Sequence, residues 1–145
     1  MYCWGKVLGS GSVSKTASFQ NITDGSANTY LIGEKFLTPQ MYEEAEATNR
    51  GYGDNQGVWS GFEWDNHRVA WNPTLPVTDQ PNYQPRQDTI GTDTPNIYAF
   101  GSAHAGAMNM SMCDGSVHSL SYDIDPGVHS YLANRLDGQV ASLPQ

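Results

Sequence analysis

"FGSAHAGAMNMSMCDGSVHSLSYDID", residues 100 to 125, is the stretch from which the rest of the chain can be read. Within it, "AMNMSM" (107–112) and "SVHSLSY" (116–122) flank Cys113-Asp114-Gly115. An Asp-Gly pair between two alternating runs is a hairpin signal, because both positions of a tight hairpin turn favour positive φ. The pattern predicts a two-stranded hairpin over about 107 to 123. The same stretch sets nine residues between His104 and Asp114 among small and apolar neighbours. An imidazole and a carboxylate could pair as base or ligand, so the spacing asks whether it encodes chemistry or architecture.

Working outward, Asp125-Pro126 reads as an N-cap followed by proline at the first helical position. Val128, Tyr131, Leu132 and Leu136 then lie on one face before Gly138, which predicts a short amphipathic helix over 126–136 packed on the sheet. Upstream, "NITDGSANTYLIGEKF" carries a turn at Asp24-Gly25 and then a β-favouring run. Residues 28–35 are expected to form a buried strand, with Tyr30 and Ile32 on one face and Leu31 and Gly33 on the other. Thr38-Pro39 followed by "QMYEEAEA" predicts a short surface helix. "VWSGFEWDNHRVAW" alternates enough for one strand or two. Between Asn72 and Pro95 five prolines remove ladder donors, which predicts a long irregular loop used for function or for a partner. Residues 1–21 read as loop or edge strand, since "GSGSVSKTAS" holds little apolar surface.

The 145 residues fit a single domain, 1–145, with a modest core. Fifteen acidic against seven basic side chains give a formal charge of −8, which opposes a phosphate backbone or an anionic membrane surface, so nucleic-acid and membrane binding are not expected. With 15 Gly, 8 Pro and 8 Tyr the chain reads as β-rich. The expected class is α+β: an antiparallel sheet with short helices and long loops. No apolar run approaches the ~20 residues of a membrane helix. Cys3 and Cys113 could pair in an oxidising compartment; the alternative is two unlinked thiols, Cys113 lying buried in a strand. Without a C-x-x-C pair or Cys/His cluster, a structural zinc site is set aside.

Three further groups carry chemistry in principle. Asp24, Ser26 and Asn28 alternate in "TDGSAN", a spacing that could gather oxygens around calcium, the one cofactor considered. The plainer alternative is an Asx-turn at Asp24 with Gly25 left-handed. In "FEWDNHR", Glu63, Asp65 and His67 would share one strand face and could ligate a divalent metal, or could form an ordinary solvated face. Trp59 and Trp64 are expected in the core, whereas Trp71 and Tyr83 beside the proline-rich loop are candidates for ligand contact. For His104 and Asp114, no oxyanion-hole or nucleophile-elbow pattern accompanies Ser102 or Ser111. We therefore read Asp114-Gly115 as the turn and His104 as bonded to backbone within "GSAHAGA".

"ITDGSANTYLIGEK" (22–35), "WSGFEWDNHR" (59–68), the 100–125 stretch and "GVHSYLANRLDGQ" (127–139), in this order, resemble the C-terminal part of a planctomycete family of prepilin-type proteins with an H-X9-DG motif, a domain of unknown function numbered 1559. The resemblance covers 22–139 as a family-like core and implies that His104, Asp114, Gly115, Asp24, Gly25, Asn28 and Glu34 are motif positions. It implies a secreted or surface protein, outside the cytoplasm, whose pilin-like head normally follows a hydrophobic N-terminal helix; this sequence is expected to be the head without that helix. The family offers no enzymatic activity to carry over. The first expectation is a non-enzymatic head with protein partners in a filament or secretion assembly. An extracellular carbohydrate- or solute-binding module is the second, and a metal-assisted hydrolase using His104, His67 and carboxylates the third.

Overall fold

A computed structural model describes residues 18–42, 59, 67–70, 83–90, 98–139 and 141–143. The chain is sheet-rich α+β. Its centre is a three-stranded antiparallel sheet in the order β1-β4-β5, from Tyr30–Gly33, Ala107–Met112 and Val117–Ser121. Two short parallel strands, β2 (Arg86–Gln87) and β3 (Gly101–Ser102), form a second sheet, and a helix, α1 (Pro126–Leu132), follows β5. Among the described residues no helix is long and apolar enough to cross a membrane.

The β4–β5 hairpin follows from the period-2 pattern. Met108, Met110 and Met112 point inward, with Leu120 opposite Met108, while Asn109 and Ser119 pair on the exposed face. Each fully buried methionine contributes about 1.5–3 kcal/mol of apolar burial. The turn differs from the two-residue form expected. Gly115 N–H donates to Met112 O at 3.0 Å and Met112 N–H to Ser116 O at 2.8 Å, so the loop is Cys113-Asp114-Gly115. Only a terminal glycine need be left-handed in a three-residue loop of this kind, and Gly115 has φ +90°. The loop then rests on the "DGSANT" segment, where Cys113 N–H donates to Thr29 O and Asp114 N–H to Ser26 O.

β1 is shorter than the strand expected over 28–35, and its faces are not those of simple alternation. Tyr30 pairs with Met112 and Ile32 with the adjacent Ser111, which leaves Leu31 as an extra residue, a β-bulge. Tyr30 thus faces the core, Ile32 turns out to 57 % exposure, and Gly33 comes back inward opposite Met110. A Cβ on Gly33 would stand 2.7 Å from Met110 Sδ and 3.1 Å from Phe100, so the bulge and the glycine together let the methionine layer close against β1.

Other expectations were displaced. α1 has the predicted start, Asp125 Oδ1 accepting from Val128 N–H at 3.0 Å with Pro126 in the first turn. It stops at Leu132, so Leu136 leaves the helical phase and is 48 % exposed; the core-facing pair is His129 and Leu132, not Tyr131 and Leu136. Pro39 opens a short 3-10 turn, Pro39–Met41. The rest of "QMYEEAEA", like residues 1–17, lies outside the described residues. The proline-rich 72–95 segment contributes β2, because Pro85 is buried ahead of the strand and Arg86 N–H still reaches Phe100 O. Residues 71–82 and 91–97 are outside the description. Trp59, expected in the core, is 94 % exposed.

Candidate functional site

The two ends of the His104–Asp114 spacing sit at the two ends of β4. Six residues of strand lie between them, roughly 20 Å at about 3.3 Å per residue, so the imidazole and the carboxylate do not meet.

At the lower end, His104 Nε2 lies 3.3 Å from Glu34 Oε1, and Glu34 Oε2 accepts from Asn109 N–H at 2.6 Å. The ring therefore turns to the carboxylate that follows β1, not to loop backbone as expected. With the imidazole side chain 63 % exposed, the pair is screened by water. The loop it belongs to is held from within. Ser102 Oγ accepts from His104 N–H at 3.1 Å and donates to Ala107 O at 3.2 Å. The Tyr122 hydroxyl lies 2.7 Å from His104 O and 3.1 Å from Ser102 O. Gly106 takes φ +80° to bring the chain round into β4.

At the upper end, Asp114 Oδ1 accepts from both Ser116 N–H (2.9 Å) and Ser116 Oγ (2.7 Å). These bonds, the hydroxyl first, hold the carboxyl below its usual range. His118 Nε2 is 3.0 Å from the same Ser116 Oγ. The hydroxyl's proton is directed at the carboxylate, so His118 is placed as a donor to Ser116 rather than as a base removing its proton. The row Asp114-Ser116-His118 braces the loop and lacks the arrangement of an activated nucleophile.

Asp24 is the most committed carboxylate. It is 4 % exposed, and its Oδ2 and Oδ1 accept from Asp137 N–H (3.0 Å) and Gly138 N–H (3.1 Å), with Gly138 at φ +73°. Thr23 N–H and Oγ1 both donate to Arg135 O, at 3.0 and 3.1 Å. Both Asp24 oxygens face N–H donors, Ser26 begins a 3-10 turn, and the Asn28 amide donates to Asp24 O at 3.4 Å. Gly25 takes the positive φ expected of it (+96°), but the Asp24 carboxylate oxygens serve the 137–138 amides instead of closing an Asx-turn on their own segment.

Glu63, Asp65 and Trp71 lie outside the described residues. His67 is 8 % exposed beside a buried Arg68, whose Nη1 donates to His67 O. Tyr83, offered as a ligand contact, is 7 % exposed with its ring 6.5 Å from that of Tyr98, so it supplies core area instead. Among the described residues no three His, Cys, Asp or Glu side chains converge as metal ligands. Cys113 is a free buried thiol within 3.5 Å of Tyr30 O, and burial pushes its pKa up; Cys3 is outside the description.

Sequence reasoning missed Ser116, Tyr122 and His129, and weighed Ser102 only as a nucleophile, not as the residue that ties the loop. His129 is fully buried on α1, its Nδ1 3.1 Å from the Tyr30 hydroxyl, and burial pushes its pKa down to about 4. A helical reading of spacing 129/132 would have found it.

No curated protein and no solved structure matches the chain. A family described as SBP_bac_10, protein of unknown function (DUF1559), matches residues 4–127. With that match covering most of its length, and the fold organised around the motif's two ends, the chain belongs to the DUF1559 family.

Proposed function

We propose that this domain is a non-enzymatic extracytoplasmic head, pilin-like in role, that contributes surfaces to a filament or secretion-associated assembly. One observation carries the reading: the polar atoms of the motif positions are engaged in building the backbone. Asp24 binds the 137–138 amides, Glu34 binds Asn109 N–H and His104, and Asp114 binds Ser116. Residues used this way define a shape and its loops. The family label SBP_bac_10 agrees with a module outside the cytoplasm.

The test is to recover the protein from its source cells, sequence its N-terminus, and follow it through surface shearing and chemical cross-linking. The expected result is a processed chain in the sheared or envelope fraction, cross-linked to protein partners. A cytoplasmic monomer without cross-linked partners overturns the proposal.

A further inference from the structure

His129 is the one histidine of the chain that is fully enclosed among those described, and it holds α1 to the sheet. Its ring lies 5.5 Å from that of Tyr30 on β1 and 5.6 Å from that of Phe100, edge-on to the latter. Nδ1 has the Tyr30 hydroxyl; Nε2 is buried with no hydrogen-bond partner. A neutral imidazole tolerates this geometry when Nδ1–H donates to the phenol oxygen and Nε2 carries only a lone pair. An imidazolium has two N–H donors, and the second would be charged, buried and unanswered.

Among the described residues, the groups around the ring offer no compensation. From β1 the titratable neighbour is the Tyr30 phenol; the 98–100 segment presents Phe100, which does not titrate. On α1 the N-cap carboxylate of Asp125 is engaged with Val128 N–H. No carboxylate contributes to the depressed basicity of His129, whose cause is burial alone. The helix itself is only seven residues long, too short to persist without its packing.

We propose that α1 is an acid-released latch: protonating His129 detaches the helix from Tyr30 and Phe100 and uncovers the apolar cluster beneath, which includes Met108, Met110 and Met112. The sign follows from linkage. The open state takes up the proton near pH 6.5 and the closed state only near pH 4, so closure is fully favoured above the first value and is lost as pH falls toward the second. One proton gives a limit of tenfold per pH unit, roughly 300-fold across that window.

The experiment is amide hydrogen exchange on the 145-residue chain from pH 7 to 4.5, corrected for intrinsic rates. The opening constant for 128–133 is expected to rise close to tenfold per pH unit below about 6 while Met108–Met112 and Val117–Ser121 stay protected. In His129→Gln, which keeps a side-chain partner for Tyr30 but cannot take up the proton, that slope is expected to flatten. Simultaneous opening of α1 and the hairpin, or an unchanged slope in the variant, overturns the proposal. Should the variant not fold, histidine-ring NMR of the unmodified chain decides: a His129 ring that protonates alongside exposed His104 overturns it, and one that stays neutral to below pH 5 until α1 opens sustains it.

Discussion

Replacing Asp24 by alanine is expected to destabilise the domain by about 3 kcal/mol, from two lost bonds between a carboxylate and backbone amides at about 1.5 kcal/mol each. The lower end of the usual range applies because the Asp137 and Gly138 amides are only part-buried, so water can reach them in the variant. In a urea melt, at a slope of about 1.5 kcal/mol/M, this is a midpoint shift of about 2 M. Asp24→Asn discriminates the cause. It keeps the volume and one acceptor oxygen but turns an amide donor toward the second N–H, so at least half of the loss should remain. Hydrogen exchange adds a local readout, since the amides of Asp137 and Gly138 should lose protection before those of β4. A midpoint shift below about 0.3 M for Asp24→Ala, or an Asn variant as stable as the parent, would refute the view that this carboxylate clasps the two ends of the described chain.

Two glycines should separate by what their Cβ would meet. Gly33→Ala presses on the flexible end of Met110 and is expected to cost about 1–3 kcal/mol in thermal or urea unfolding, whereas Gly101→Ala drives into the Arg86 carbonyl oxygen and the Phe36 side chain, and soluble folded protein should not be recovered. The motif's two ends should differ as well: His104→Ala removes a water-exposed pair and should cost below about 1 kcal/mol. Gly115→Ala meets no neighbour but forces alanine to φ +90°, for about 1–2 kcal/mol by the same melts. Tyr42 donates to Asp88, which, with burial and the carboxylate's charge, pushes the phenol up to about 12. Ultraviolet titration should therefore show an ionisation about two units above the usual tyrosine value that disappears in Tyr42→Phe.

The hairpin was legible because Met108, Met110, Met112 and Leu120 announce themselves by alternation, and the Asp125-Pro126 helix start because a cap needs only its neighbours. The turn type was not, since a three-residue loop and a two-residue loop can share the same Asp-Gly. The bulge at Leu31 arises from pairing with β4 some 80 positions away, so alternation alone put Ile32 on the wrong face. In α1, apolar spacing favoured Tyr131 and Leu136 because a histidine counts as polar in such a pattern, and a polar residue with a tyrosine partner in the core is visible only in three dimensions. The same holds for the candidate site. Family resemblance singled out His104, Asp114, Asp24 and Glu34, but their partners Asn109, Ser116 and the 137–138 amides follow from register and chain return rather than from spacing.

The clasp between Asp24 and the 137–138 amides has a temporal side. Among the described residues β1 pairs with β4, about 75 residues later, and Asp24 waits longer still for the 137–138 amides. At about 5–20 residues per second of synthesis, β1 is made several seconds ahead of β4, while the local β4–β5 hairpin can form in microseconds once it is made. The order of assembly is then dictated by contact distance along the chain: hairpin first, β1 docking onto it second, and the Asp24 closure last. A nascent chain halted between Ser121 and Gly138 would carry the methionine-lined hairpin and the docked β1 without the Asp24 clasp.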